Sequence, residues 1–138
     1  MDINDLITAC NNGDNAHMLS LTPEKIRNDK VEIINELPLT EEDKIGIIGK
    51  LVGYRYIEEI HDIRSGTFLR WISTVDDDSI NLTTGGIFCE IVFTDYCTSL
   101  RMKNFRNRYF ELKLDDVILF QKLTTQEQVL MSALSYVR

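Results

Sequence analysis

The chain has 138 residues, of which 43% are hydrophobic and 27% are charged, and these values are typical of one globular domain with a real core. No apolar run approaches the roughly 18–20 residues that a membrane helix needs. Asp2 and Asp5 occupy the N-terminus without a basic stretch, which argues against a secretory signal. Cys10, Cys89 and Cys97 are an odd and sparse set that argues against a disulfide framework. We therefore expect a cytoplasmic protein that does not bind membranes.

The net charge of −7 is distributed unevenly along the chain. Residues 1–62 contain 13 acidic and 6 basic side chains, whereas residues 63–138 contain nine of each. The acidic first part should repel nucleic acids and anionic membranes. The second part could hold a local basic patch.

The first part of the chain is predicted to be helical. Apolar residues at helical spacing predict a short helix that ends near Gly13. These residues are Ile3, Leu6, Ile7 and Cys10. Residues 22–24 predict the start of a second helix, with a Thr N-cap, a Pro in the first turn and an acid near the N-terminus. Thr40 begins a third helix in the same way, and residues 54–63 are assigned to a further helix.

The stretch from Thr67 to Leu123 is predicted to form short antiparallel strands separated by tight turns. Alternation in two of these strands places apolar residues inward and mostly polar residues outward. The inward set is Leu100, Met102, Phe110, Leu112 and Leu114, and the outward set is Arg101, Lys103, Tyr109, Glu111 and Lys113. In a preceding strand, the same reasoning assigns Ile87, Cys89, Ile91 and Phe93 to one face.

This order of elements predicts an α+β fold with N-terminal helices, a small antiparallel β-barrel or bent sheet of SH3-like size, and a C-terminal helix. The last helix is capped at Thr124 or Thr125, because Glu127 or Gln128 follows three residues later. We expect residues 1–63 to be the helical region and residues 64–138 to be the barrel with its helix. The two regions should form one compact unit.

The sequence contains no catalytic signature that predicts an enzyme. His17 and His61 are far apart, and neither stands in a metal-ligand spacing. The acidic turn at residues 76–79 lacks the pattern of a calcium-binding loop. The segment from Gly46 to Lys50 has the wrong spacing for a phosphate-binding loop, so we interpret its glycines as small residues at a helix contact. We therefore expect no catalytic activity, no cofactor and no metal.

One surface feature suggests binding, because basic and aromatic residues are interleaved between Ser99 and Leu114. The candidate binding face consists of Arg70, Trp71, Arg101, Lys103, Arg106, Arg108 and Tyr109. Small barrels that bind single-stranded nucleic acid combine such cations with stacking aromatic side chains. An equally physical interpretation is that outward Arg and Lys confer solubility and protect a strand edge.

Five segments of the chain carry a resemblance to known proteins. They are residues 51–57 (LVGYRYI), 65–72 (SGTFLRWI), 82–87 (LTTGGI), 103–105 (KNF) and 120–130 (FQKLTTQEQVL). Through them the chain, from Glu24 onward, resembles an uncharacterised protein family of giant (nucleocytoplasmic large) DNA viruses. The resemblance implies a viral product that works in the cytoplasm of the infected cell or is packaged in the virion. It transfers no functional residue to this sequence.

Two functional hypotheses arise from the sequence, and a third class, a small enzyme, would require a polar constellation that only the fold could assemble. The first is a non-enzymatic interaction or adaptor module that binds protein partners, in the context of a viral accessory or virion protein. The alternative is an accessory protein that binds single-stranded nucleic acid through the basic and aromatic face. The sequence does not predict an oligomeric state.

Overall fold

The computed structural model of the chain describes residues 3–4, 7–8, 21–75 and 80–137. Of the predicted first helix, Ile3, Asn4, Ile7 and Thr8 are described, and they are helical. The rest of that helix, His17 and the acidic turn at residues 76–79 lie outside the described residues.

Helices flank an antiparallel sheet in the order that the sequence predicts. The elements are α1 (Pro23–Asn35), α2 (Glu41–Lys50), β1 (Tyr54–Ile57), β2 (Phe68–Ser73), β3 (Gly86–Phe93), β4 (Thr98–Lys103), β5 (Tyr109–Lys113), β6 (Val117–Lys122) and α3 (Thr125–Val137). Single 3-10 turns occupy Ile60–Asp62 and Leu114–Asp116. The predicted α+β class, with helices before and after the sheet, is confirmed.

The predicted caps are present at the helix starts. Thr22 Oγ1 accepts a hydrogen bond from the N–H of Lys25 at 3.0 Å, and Thr40 caps α2 in the same manner. At α3, the N–H of Glu127 donates to Thr124 Oγ1 at 3.1 Å, and the N–H of Thr124 donates to Glu127 Oε1 at 2.9 Å. This reciprocal pair is a capping box, so Thr124 is the cap that the chain uses.

The sheet is open and strongly bent. Its strand order is β1-β6-β2-β3-β4-β5, with every pairing antiparallel, so that β1 and β5 are the two edges in the described chain. Three strand spacings separate β2 from β5, which is about 14 Å in a flat sheet. The rings of Trp71 on β2 and Phe110 on β5 nevertheless lie with their centroids 5.8 Å apart. The sheet therefore bends so strongly that inner-face side chains of β2 and β5 contact each other. Of the two predicted alternatives, a barrel or a bent sheet, the chain forms the bent sheet.

One cluster of side chains packs on the inner face of the sheet, and a second packs on the outer face over β1, β6 and β2. The inner cluster consists of Ile57, Ile63, Leu69, Trp71, Phe88, Leu100, Met102 and Leu119. The outer cluster consists of Ile34, Ile47, Leu51, Ile72 and Phe120, and it packs α1 and α2 against β6 and β2. Helix α3 joins α1 through Ile26, Leu123 and Leu130. None of the described helices contributes to the outer face of β3, β4 and β5, where exposed side chains collect.

The predicted helix over residues 54–63 is wrong, because β1 forms at its start and only the single 3-10 turn Ile60–Asp62 forms near its end. Gly53 has φ +83°, and the N–H of Leu123 donates to its carbonyl oxygen at 2.8 Å, which begins the pairing of β1 with β6. Side chains then alternate, with Arg55 and Ile57 buried on one face and Tyr56 directed to the other. The sheet thus begins within residues 1–63, the region assigned to helices.

The predicted common face of β3 is also wrong, because a β-bulge interrupts the alternation. The register shifts between Phe88 and Glu90 opposite β4. Phe88 is therefore buried, and Ile91, after the bulge, packs against the inner cluster, whereas Ile87, before the bulge, is 43% exposed on the other face. Phe93 shares the facing of Ile91 but lies at the end of the strand and is 74% exposed. A bulge places an extra residue on one strand and reverses the facing of the residues after it.

Candidate functional site

Four strands contribute one residue each to a row across the outer face of the sheet. Phe68 pairs with Ile87, Ile87 with Lys103, and Lys103 with Tyr109, so the row runs from β2 to β5. Ile87 and Tyr109 are 43% and 66% exposed. The row presents apolar and aromatic surface around a single ammonium group.

The β4–β5 hairpin folds an additional aromatic ring onto this row. Phe105 lies in the hairpin turn, is 75% exposed, and has its ring centroid 5.7 Å from that of Phe68. The side-chain oxygen of Asn104 accepts hydrogen bonds from the N–H groups of Arg106 and Arg108, at 2.9 and 3.1 Å. These bonds fix the turn, so Phe105 remains over the sheet while both arginines stay at the surface.

The backbone at Gly85 and Gly86 packs closely against Phe68 and the neighbouring strands. Gly85 has φ +97°, and a Cβ atom there would lie 2.5 Å from the carbonyl oxygen of Leu69 and 2.7 Å from Phe68 Cε1. A Cβ atom on Gly86 would lie 2.9 Å from the carbonyl oxygen of Lys103. Only glycine permits this approach without displacing the neighbours, which explains the two consecutive glycines at this point.

Three cations of the β4–β5 hairpin, which also carries the exposed rings of Phe105 and Tyr109, form no ion pairs within the described chain. Lys103 Nζ lies 5.9 Å from the centroid of the Tyr109 ring, within the range of a cation–π contact. Among the ion pairs of the described residues, none involves Lys103, Arg106 or Arg108. We call this surface the aromatic–basic face. Its members are Phe68, Ile87, Lys103, Phe105, Arg106, Arg108 and Tyr109.

A row of three charged residues, Glu90, Arg101 and Glu111, borders the aromatic–basic face. Arg101 forms an ion pair with Glu90 on β3, and its Nη2 lies 3.6 Å from Glu111 Oε1 on β5. These residues line a shallow cavity of about 580 Å³ that also contacts Tyr109. The positive charge of Arg101 is therefore compensated by its neighbours and is not free for a ligand.

Two further residues of the predicted binding face lie elsewhere. Trp71 is only 9% exposed and belongs to the inner cluster, so its assignment to a binding face is wrong. Arg70 lies beside α2, where its Nε donates to the carbonyl oxygen of Thr83 at 2.8 Å and its Nη1 to that of Lys50 at 3.3 Å. The structure brings together four of the predicted residues, namely Lys103, Arg106, Arg108 and Tyr109.

Sequence reasoning missed Phe68 and Ile87 as parts of this surface. Their position depends on the pairing of β2 with β3 and of β3 with β4, which no local pattern specifies. The position of Phe105 between basic residues was the one signal in the sequence that it belongs to this surface. Its exposure in the hairpin turn shows that it is a surface residue and not part of the core.

A second polar feature lies at the opposite end of the β3–β4 hairpin. Cys97 Sγ lies 3.5 Å from Thr94 Oγ1 and 3.6 Å from Ser99 Oγ. Hydrogen bonds from Thr94 and Ser99 lower the pKa of the Cys97 thiol. This favours the thiolate, but a lone thiol defines no reaction.

The described part of the chain offers no metal site, since it holds no group of three or more His, Cys, Asp or Glu arranged around an ion. His61 is largely exposed beside two carboxylates, with Nδ1 3.6 Å from Glu59 and Nε2 3.8 Å from Asp62. A search of the described helices finds none with the length and apolar character needed to cross a membrane.

Comparison of the chain with protein-family models, with curated proteins and with solved structures gives no match. Inferences about function therefore depend on the geometry of the aromatic–basic face.

Proposed function

We propose that the chain is a non-enzymatic interaction module that binds an acidic segment of a protein partner at the aromatic–basic face. The decisive observation is that two exposed aromatic rings, Phe105 and Tyr109, lie on the same hairpin as three cations that form no ion pair in the described chain, and Lys103 Nζ lies over the Tyr109 ring. Exposed aromatic residues beside Arg are characteristic of interface hot spots, because rigid rings bury much area at small entropic cost.

The charge of the face specifies the partner. Carboxylates on a ligand would compensate Lys103, Arg106 and Arg108, while apolar side chains would cover Ile87 and Phe105. Complementary charge raises the association rate and disfavours basic partners. The resemblance to the family of giant DNA viruses would place this partner among proteins of the infected-cell cytoplasm or of the virion.

A second candidate function is the binding of single-stranded nucleic acid. The observation that favours it is Lys103 Nζ over the Tyr109 ring, on an open sheet face where a base could stack. Glu90 and Glu111 in the adjoining row, together with the net charge of −7, repel a nucleic acid, which carries one charge per nucleotide, more than a peptide with a few carboxylates among apolar residues. Protein binding is therefore the better-supported function.

Selection from a phage-displayed library of random dodecapeptides tests the proposal. The wild-type protein should enrich peptides that combine Asp or Glu with apolar residues. The double variant Phe105→Ala/Tyr109→Ala should lose them. A matched control is Phe93→Ala/Tyr96→Ala, which removes two aromatic rings that are 74% and 97% exposed at the other end of the hairpin. Absence of enrichment, or equal loss in both double variants, would contradict the proposal.

Fluorescence anisotropy with labelled oligo-U and oligo-dT distinguishes the second candidate. Binding through phosphate contacts should weaken steeply as salt rises from low to physiological concentration. Peptide binding that depends on Phe105 should change less. Tight, salt-sensitive binding of either oligonucleotide without peptide enrichment would favour nucleic acid as the ligand.

A further inference from the structure

We propose that the partner segment binds as an additional strand along the free edge of β5. This inference rests on the proposed function and specifies its geometry: an extended, acidic polypeptide rather than a helix or a folded surface. Strand addition supplies main-chain hydrogen bonds for affinity and alternate side-chain positions for specificity.

The first observation is that β5 is a regular and open edge. It pairs only with β4 in the described chain, in unbroken register from Ser99 opposite Lys113 to Lys103 opposite Tyr109. Neither a bulge nor a proline interrupts it. An edge of this kind is a template for a further strand.

The second observation fixes which main-chain groups of β5 are free. The N–H of Asn104 donates to the carbonyl oxygen of Arg108 at 3.0 Å, and the N–H of Arg108 donates to the Asn104 side chain, so these two residues occupy a hydrogen-bonded position of the ladder at the hairpin end. Hydrogen-bonded and non-hydrogen-bonded pairs alternate along an antiparallel ladder. The N–H and C=O groups of Tyr109, Glu111 and Lys113 therefore point away from β4, toward the free edge.

The third observation is charge. Arg106 and Arg108 precede β5 and Lys113 ends it, so cations flank the edge at both ends. The one acid of the strand, Glu111, lies 3.6 Å from the guanidinium of Arg101. A strand added here would place alternate side chains toward the cations and the others over the half-buried inner residues Phe110 and Leu112. We infer a ligand with acidic residues alternating with apolar ones.

The opposite edge of the sheet provides the contrast. Near β1, a surface cleft is lined by Asp29, Glu32, Glu36 and Glu58. An acidic segment would be repelled there, so the charge distribution selects β5 over β1. Charged residues also protect edges against aggregation. Along β5 and its hairpin turn, the three cations Arg106, Arg108 and Lys113 outnumber the single acid Glu111, which favours an acidic strand over a basic one.

Substitution of Glu111 by proline tests strand addition directly. The N–H of residue 111 is not used in pairing with β4, so Glu111→Pro removes a donor from the free edge and leaves the ladder intact. Glu111→Ala is the matched control, because it removes the same carboxylate and keeps the N–H. Circular dichroism and thermal unfolding should show that both variants fold.

Dodecapeptides selected on the wild-type protein are then titrated against both variants. We expect Glu111→Pro to weaken peptide binding by at least about tenfold, because one main-chain hydrogen bond is lost and the proline ring obstructs the added strand. We expect Glu111→Ala to have little effect. In hydrogen-exchange experiments, the amides of Tyr109, Glu111 and Lys113 should exchange rapidly in the free protein and become protected when peptide binds.

The outcomes separate strand addition from the proposed function. Peptides that lose binding to Phe105→Ala/Tyr109→Ala but bind Glu111→Pro normally would overturn strand addition and leave the interaction module intact. Peptides affected only by Glu111→Pro would support the edge and contradict the aromatic–basic face. Slow exchange of the three amides in the free protein would show that the edge is already covered, which overturns strand addition whatever the peptides do.

Discussion

The Trp71 and Phe110 rings lie 5.8 Å apart in the interior although their strands are three places apart in the sheet. This contact joins the two halves of the bent sheet and seals the inner cluster. The outer face of β3, β4 and β5 then remains uncovered by the described helices, and this is the face where we propose that the partner binds. Curvature therefore links the core to the proposed interface.

Removal of the Phe110 ring should loosen this closure. We expect Phe110→Ala to lower the free energy of unfolding by about 3 kcal/mol, because it leaves a cavity against Trp71. Tyr109→Ala, one position along on the exposed face, should change stability by less than about 1 kcal/mol. Urea unfolding followed by the fluorescence of Trp71, the single tryptophan of the chain, measures both. Equal effects of the two substitutions would contradict closure through the ring contact.

Local signals in the sequence predicted much of the fold. The caps at Thr22, Thr40 and Thr124 were recognisable because a cap needs only residues three positions apart. The inward set that includes Leu100 and Met102 followed from alternation in a regular strand, and both are fully buried. Each of these features depends on neighbours in sequence.

The errors in the prediction come from long-range pairing. Tyr54–Ile57 forms a strand because β6 pairs with it, about 65 residues later in the chain, and no local pattern requires this. The bulge after Phe88 exists only relative to β4. The same limit applies to the site, where Trp71 was assigned to the surface because its inward facing depends on the curvature of the whole sheet.

Gly85 should be much less tolerant of substitution than Gly66. Both have positive φ, +97° and +84°, but a Cβ atom on Gly66 meets no neighbour within 4 Å. Gly66→Ala should cost about 1 kcal/mol of stability through backbone strain alone. Gly85→Ala adds a clash with Leu69 and Phe68, so we expect a loss above about 2 kcal/mol. Equal denaturation midpoints for the two variants would show that the close approach to Phe68 is not required.

Glu127 has two roles that substitutions can separate. Glu127 is fully buried, and its first role is to complete the capping box with Thr124. Its second role is electrostatic: burial lowers the pKa of Arg55, and the charge of Glu127 opposes this by favouring the protonated guanidinium. In the described chain, Arg55 Nε has no hydrogen-bond partner, so this guanidinium depends on nearby acids.

Thr124→Ala should therefore cost about 1 kcal/mol, the usual value of a cap. Glu127→Gln should cost about 3 kcal/mol, because it removes the larger of the two carboxylate charges, Glu127 and Asp62, that favour the buried Arg55 guanidinium. Thermal unfolding of a double-mutant cycle with Arg55→Met measures the coupling. Strict additivity of Glu127→Gln and Arg55→Met would show that the two charges do not interact.

Lys30 should make stability depend on alkaline pH. Lys30 is 8% exposed, and its Nζ donates to the carbonyl oxygen of Leu51 at 3.0 Å. Burial is the larger cause that lowers the pKa of Lys30, and the nearby charge of Arg27 lowers it further. Between this lowered pKa and the unfolded value near 10.4, the unfolded chain binds more protons, so stability rises with pH there. The wild-type protein should thus gain stability relative to Lys30→Met as pH rises from neutral toward about 10, measured by urea unfolding. In an Arg27→Met background the gain should shrink but persist, because burial is the larger cause. A difference that stays flat or falls with pH would show that the buried ammonium is not destabilised.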